Sequence, residues 1–328
     1  MAVNRLVQRL AVGYMVRVIQ KNALLLAITL LATPVAAQNA APFQNAETGR
    51  NYRSLQQAVD SIADDEGSII IAPGTYRQCA IQTAGVVAFR ASVPGQVTFD
   101  AVTCEGKAAL VLRGQAATID GIIFQNMRVP DANGAGIRLE KGNLTVTRAI
   151  FRNSEQGILT AEDRSGAINI DQSTFSGLGR CDRGLSCAHS IYIGGYGSLT
   201  VTNSRFERGN GGHYVKSRAA RVLINDNAFD DTRGRETNYM IDLPNGAVGS
   251  ISRNIFVQGA SKENYSAFIT VAPEGRQQSS VGLSISANEA SIAPGVDRQT
   301  TFLADWSGDR IALGGNRLGR GLKPFERR

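Results

Sequence analysis

Six segments of this chain end in phenylalanine after the same run of alternating apolar residues. They are "ATIDGIIF" to Phe124, "LTVTRAIF" to Phe151, "INIDQSTF" to Phe175, "LTVTNSRF" to Phe206, "VLINDNAF" to Phe229 and "GSISRNIF" to Phe256. Successive phenylalanines lie 27, 24, 31, 23 and 27 positions apart. A second family of short strands is interleaved with them: "GAGIRLEK", "QGILTAE", "HSIYIGG", "GHYVKSR", "NYMIDLP", "SAFITVA" and "TTFLADW". Two strands per unit, each closed by Gly, Asn or Asp turn signals, cannot bury their apolar faces within one unit, so each unit must stack on the next. A β-sandwich fits such irregular spacings poorly. An all-β parallel solenoid fits them directly, because every strand pairs with its counterparts one coil away and like residues form ladders.

Asn227, Asn254, Asn288 and Asn316 fall at one turn position of these units, two residues before Phe229, Phe256, Ala290 and Leu318. Asparagine suits such a turn because it tolerates left-handed backbone and bonds its own neighbours. At the other end, Ser54 with Gln57 reads as a capping box, and Leu55, Ala58, Val59 and Ile62 share one helical face. A short helix over Ser54 to Ala63 would cover the open first coil. The stretch "YRSLQQAVDSIADDEGSIIIAPGTYRQ" resembles the helix-plus-first-coil opening of the pectate-lyase-type β-helix proteins, and the resemblance runs through the repeats. It implies a single right-handed parallel β-helix over residues 48–320 with a short N-terminal capping helix. The fold alone does not imply an activity, since such solenoids carry lyases, hydrolases, epimerases, esterases and non-catalytic adhesins.

The chain opens with Arg5, Arg9, Arg17 and Lys21, then the apolar run Ala23 to Leu31 and the small residues Val35-Ala36-Ala37, with no acidic residue before Glu47. That is the pattern of a secretory signal peptide, residues 1–37, and the apolar run is short for a stable membrane span. Residues 38–47 read as a linker and residues 321–328 as a basic, frayed tail. Removing the leader takes four positive charges from a formal net charge of +7 and leaves +3. The mature chain has no basic run with interleaved aromatics, which excludes the usual nucleic-acid signature. Export to the periplasm or beyond also favours two disulfides, Cys79–Cys104 and Cys181–Cys187. A zinc site is the weaker alternative, since no Cys-x-x-Cys pair exists and His189 is the only nearby imidazole.

Aligning the second strand family on Ile193, Val215, Ile241, Ile269 and Leu303 places Gly194, Lys216, Asp242, Thr270 and Ala304 in one outward row. A second outward row then holds Tyr192, Tyr214, Met240, Phe268 and Phe302. Outward aromatics on consecutive rungs need a cover, either a sugar polymer stacking on the rings or a long loop of the chain itself. Under the first alternative, Tyr192, Tyr214 and Phe268 bind an acidic oligosaccharide, helped by Arg218 and Arg235. Partial loss of hydration would make Lys216 available as a general base, whereas a plain Lys216–Asp242 ion pair is the structural alternative.

The stretch "GHYVKSRAARVLINDNAF" resembles the lysine-bearing coil of the chondroitinase-B-like and alginate-cleaving β-helix lyases. That resemblance implies Lys216 as the base that removes the proton next to a uronate carboxyl group, with His213 or a loop arginine assisting. Those lyases carry an arginine on the next rung, where this chain has Asp242. No acidic cluster of the kind that accompanies calcium in such enzymes is legible, so no metal or other cofactor is expected. The two expectations are therefore a monomeric lyase-like enzyme using Lys216, His213 and Asp242, and a non-catalytic polysaccharide-binding or structural envelope protein. A hydrolase using Asp242 ranks below both.

Overall fold

The computed structural model describes residues 41–182 and 184–328; most of the expected leader and linker lies outside the described residues. The described chain winds as one right-handed parallel β-solenoid with no second domain. Each coil contributes a strand to each of three sheets, one of twelve strands and two of ten. One such coil is Arg221–Asn225, Ala228–Asp230 and Ile241–Leu243. We refer to the twelve-stranded sheet as the first, the sheet carrying the repeat phenylalanines as the second, and the remaining one as the third.

Alternation along the strands dictates what is stacked. In the second sheet, Phe99, Phe124, Phe151, Phe175, Phe206, Phe229 and Phe256 are in register on consecutive coils. From Phe124 to Phe256 the rings lie within 14° of parallel, at centroid separations of 4.8–5.1 Å. That separation is the spacing of neighbouring strands, so an in-register ladder brings equivalent rings into contact without any further adjustment. Each fully buried ring contributes about 1.5–3 kcal/mol by transfer from water.

The turn between the first and second sheets is short and nearly invariant. Its first residue has left-handed backbone on coil after coil: Arg148, Gln172, Asn203, Asp226, Arg253 and Ala287, with φ between 49° and 61°. The asparagines stand one position later than expected from their tolerance of that conformation. Their role is in hydrogen bonding. The Asn254 side-chain oxygen accepts from the Asn227 backbone N–H and from its Nδ2, both at 3.0 Å, while Asn254 Nδ2 donates to Ile224 O at 2.7 Å. The pattern repeats with Asn288 and Asn316, and Ser204 and Ser173 continue it at the other end. The ladder satisfies the buried donors that a one-residue left-handed reversal would otherwise strand.

The capping helix is Leu55–Asp60, shorter than its sequence pattern, with Ser54 as N-cap accepting from Gln57 N–H. Gln56 gives the cap its fit. Its amide donates to Ile81 O at 2.9 Å and accepts from Ile81 N–H at 2.8 Å, as a neighbouring strand would. Both ends of the domain extend past their expected limits. Phe43–Asn45, within the expected linker, is a strand paired to Asn51–Tyr52 and Glu66–Ile71. Leu322–Arg327, expected to be frayed, pairs in parallel with Thr300–Asp305 and forms the last rung of the third sheet.

Both expected disulfides are formed, Cys79–Cys104 and Cys181–Cys187. Buried Arg180 holds the second loop by donating to the carbonyls of Ser186, Leu185 and Asp182. Two bridges are the mark of a protein that folds in an oxidising compartment. Among the described residues no helix is long and apolar enough to cross a membrane.

Candidate functional site

The outward row of the third sheet brings most of the singled-out polar residues together, in a register that differs from the expected one. Tyr192 lies beside Lys216, because Ile191 rather than Ile193 pairs with Val215. Lys216 pairs with Asp242 and Asp242 with Thr270. The row is thus Tyr192, Lys216, Asp242, Thr270 and Ala304, and Gly194 is not part of it.

Two expected ligand-binding residues are not on the surface. Tyr214 is 1 % and Phe268 0 % exposed, and Met240 and Phe302 beside them are also buried. These residues precede or open their strands at a corner, where strict alternation fails and two successive side chains both turn inward. Tyr214 packs edge-on against Phe206 and Phe229, and Phe268 against Phe256. The cover required for this aromatic row is the solenoid core itself.

Tyr214 also anchors a buried polar cluster that the sequence pattern did not reveal. Its hydroxyl donates to Asp231 Oδ1 at 2.7 Å, and Asp231 accepts from Thr237 and from Lys262 Nζ at 3.0 Å. Lys262 also donates to Thr237 Oγ1 and Asn238 O. Burial pushes the Lys262 pKa down, and neighbouring Asp231 opposes the shift. These bonds tie the loops after Phe229 and Phe256 together. Arg235 is exposed on the first of these loops, with its backbone N–H on Gly209 O, and shares no hydrogen bond or ion pair with the Lys216 cluster.

Around Lys216 the charges interlock. Its ammonium donates to Asp242 Oδ2 at 2.8 Å and to Glu274 Oε1 at 2.5 Å. Asp242 accepts from Thr270 Oγ1 at 2.7 Å and lies 3.5 Å from His213 Nε2. Glu274 reaches back from the loop after strand Ala267–Val271, and its other oxygen meets Arg218 at 2.5 Å. Arg218 is braced by Asn245 Oδ1, by the Tyr192 hydroxyl at 3.2 Å and by the Tyr192 ring. Burial pulls the Lys216 pKa down, but Asp242 and Glu274 outweigh it and the net shift is upward. The lysine is held as a cation, contrary to the expectation that lost hydration would free its lone pair. Glu274 is partly desolvated, yet the two cations hold its pKa at about 2.

The two histidines are adjacent, as the coil spacing implies. Their rings stack at 4.9 Å, and Tyr239 covers the other side of His213 at 5.5 Å. The His213 backbone N–H donates to His189 Nδ1 at 3.0 Å, so the proton of neutral His189 sits on Nε2. Burial, reinforced by Lys216, lowers the His213 pKa to about 3; burial, reinforced by the adjacent His213 and by Lys216, pushes His189 well below its ordinary value. His213 Nδ1 is buried without a hydrogen-bond partner. Among the described residues no group of three His, Cys, Asp or Glu side chains could hold a metal ion. Glu274 is not the protonated general acid that a hydrolase requires, because the two cations hold it ionised.

A rigid coil stack whose third sheet holds a buried Lys216–Asp242 pair under Arg218 and Glu274 defines a solenoid that fixes side chains on a lattice. The chain belongs to the right-handed β-helix family: the model described as "Right handed beta helix region" matches residues 80–288. No curated protein matches it. Among solved structures, ORF18 of Geobacillus virus E2 is similar, at 15 % identity and a TM-score of 0.42, over 83 % of this chain and 55 % of the viral one. The chain therefore spans about half of that protein. The surface protein and adhesin PfbA of Streptococcus pneumoniae is similar at 11 % identity and a TM-score of 0.43, over 83 % of this chain and 94 % of the other.

Proposed function

We propose that this protein is an exported β-helix that binds an acidic polysaccharide where Tyr192, Arg218 and Glu274 reach solvent at the edge of its third sheet, with Arg218 and the Lys216 beneath Glu274 as the receiving cations. The observation that carries the reading is the state of Lys216. Two carboxylates keep it protonated while Arg218 stands beside it on the half-buried Tyr192 ring. A fixed ammonium and guanidinium next to an aromatic face suit a sugar bearing a carboxylate, since the ring meets C–H faces and the cations meet the charge. The same state weighs against elimination with Lys216 as the base, because a base must begin unprotonated.

A lyase is the second reading with a different proton acceptor, the neutral His213 imidazole, whose Nε2 lies 3.5 Å from Asp242. One panel separates the two. Alginate, pectate, glycosaminoglycans and bacterial exopolysaccharides are offered to the mature protein, with binding followed by affinity electrophoresis and unsaturated product by ultraviolet absorbance. Retardation by a uronate polymer without product, lost in Arg218→Ala and Lys216→Ala, is the expected result. Product that disappears in His213→Gln would replace binding by lysis. Unchanged retardation in both cation variants would refute the site.

A further inference from the structure

Glu274 differs from the other members of the cluster. Lys216 and Asp242 have side-chain exposures of 9 % and 2 %, whereas Glu274 is 46 % exposed and arrives from a loop two coils along. One of its carboxylate oxygens meets the Lys216 ammonium and the other the Arg218 guanidinium. A planar two-oxygen anion spanning two cations is the arrangement a ligand carboxylate would adopt there.

Each cation has partners besides Glu274 that hold it in place. Lys216 donates to Asp242, and Arg218 donates to Asn245 and Tyr192. The main chain of Glu274 is fixed by its N–H on Pro244 O at 3.0 Å, and beyond it the loop is open, with no atom within 4 Å of where a Gly275 side chain would begin. Rotation of one side chain into solvent is therefore enough to empty the position. What remains carries two positive groups against the single charge of Asp242, a surplus of one, which one carboxylate neutralises.

We infer that the Lys216–Arg218 fork is a subsite for the carboxylate of a uronic acid residue, and that Glu274 occupies it until the ligand displaces it. This rests on the acidic-polysaccharide reading above. The exchange is one carboxylate for one carboxylate, so the fork is never left unneutralised, and the Tyr192 ring flanks the incoming sugar. The two oxygens of one carboxylate reach the two cations, one each, as those of Glu274 do.

The test compares the mature protein with Glu274→Gln and with the double variant Glu274→Gln/Arg218→Gln. Calorimetric titrations use uronate oligosaccharides, the same oligosaccharides with carboxyl groups reduced to alcohols, and a sulfated, uronate-free glycan. Removing the competing charge should tighten uronate binding about tenfold in Glu274→Gln, leave the reduced analogue unbound, and lose the gain in the double variant. Thermal melting of each variant confirms that it is folded. Parent binding with equal or weaker binding by Glu274→Gln overturns the displacement while leaving the acidic-polysaccharide reading standing. Failure of both proteins to bind any uronate overturns both. An equal gain for the sulfated glycan overturns the carboxylate assignment.

Discussion

Mild acid should unfold this protein through its histidine pair, well before its carboxylates titrate. A histidine whose folded pKa lies below its unfolded one takes up a proton on unfolding. Its contribution is complete above about pH 6.5 and is lost as pH falls toward the folded value. For His213 that window runs from 6.5 down to about 3, and His189 shifts in the same direction. The buried neutral imidazole of His213 should therefore cost about 2 kcal/mol of stability between pH 7 and pH 5, and His189 adds to the loss in the same direction. The groups facing the pair set the sign: Lys216 and Lys262 oppose protonation of His213, while Asp242 at 3.5 Å and Glu274 favour it too weakly to offset burial. Urea midpoints between pH 7 and pH 5, read by far-ultraviolet circular dichroism, give the slope. Glu274, held at about 2, does not titrate in the folded protein over that range. His213→Gln should remove the His213 share of the loss, about 2 kcal/mol. Lys216→Met should also shrink it, because Asp242 then has only the imidazolium as a cationic partner within reach. A flat profile from pH 7 to pH 5, or an unchanged one in a His189→Gln/His213→Gln double variant, would refute the assignment of neutral, dry imidazoles.

Two further outcomes follow from buried polar bonds. Asn254→Ala removes the acceptor of the Asn227 backbone N–H and should cost about 3 kcal/mol in urea unfolding, whereas Asn316→Ala, at the end of the ladder and partly exposed, should cost less. Equal effects would mean that the ladder acts only through local turn preference. Lys262→Met leaves Asp231 charged in the interior and should cost about 3–5 kcal/mol, with the loops after Phe229 and Phe256 opening first in hydrogen exchange.

The parts of the structure legible in the sequence are those written many times. Phenylalanine before a turn and asparagine two positions earlier recur on several coils, so one misread coil does not disturb the rest, and the solenoid emerges without ambiguity. The third sheet was less legible because its strands are short and each has two candidate inward positions. In "HSIYIGG" both Ile191 and Ile193 are buried, and choosing the wrong one moved Tyr192 away from Lys216. Corner geometry is not encoded in alternation, which is why Tyr214 and Phe268 read as surface residues. His189 and His213 precede equivalent strands, so coil spacing alone brings their rings together. Glu274 could not be found at all: it lies 58 positions from Lys216 in a loop that belongs to no repeat. The Asp231–Lys262 pair had the same obstacle, both residues standing outside the periodic strands.

The coils differ in length, but the differences are not spread evenly around the stack. Between the first and second sheets the chain passes from Thr147 to Ile150, Thr202 to Arg205 and Ser252 to Ile255 without change, locked by the left-handed residue and the amide ladder. Between the second and third sheets it passes from Arg152 to Gln156 on one coil and from Ser176 to Ile191 on another. After the third sheet it passes from Leu139 to Asn143 on one and from Val271 to Ser284 on another. From Thr147 onward every long excursion therefore borders the sheet that carries Lys216; the longer passage on the other side, Ala91 to Val97, belongs to an early coil. For an engineer this divides the molecule into a side that accepts new loops and a side that rejects a single added residue. Exchanging the segment between Val271 and Ser284 should change which side chain meets Lys216 and Arg218 while the phenylalanine column never registers the change, whereas one residue inserted at Arg148 would put every ring beyond it out of step.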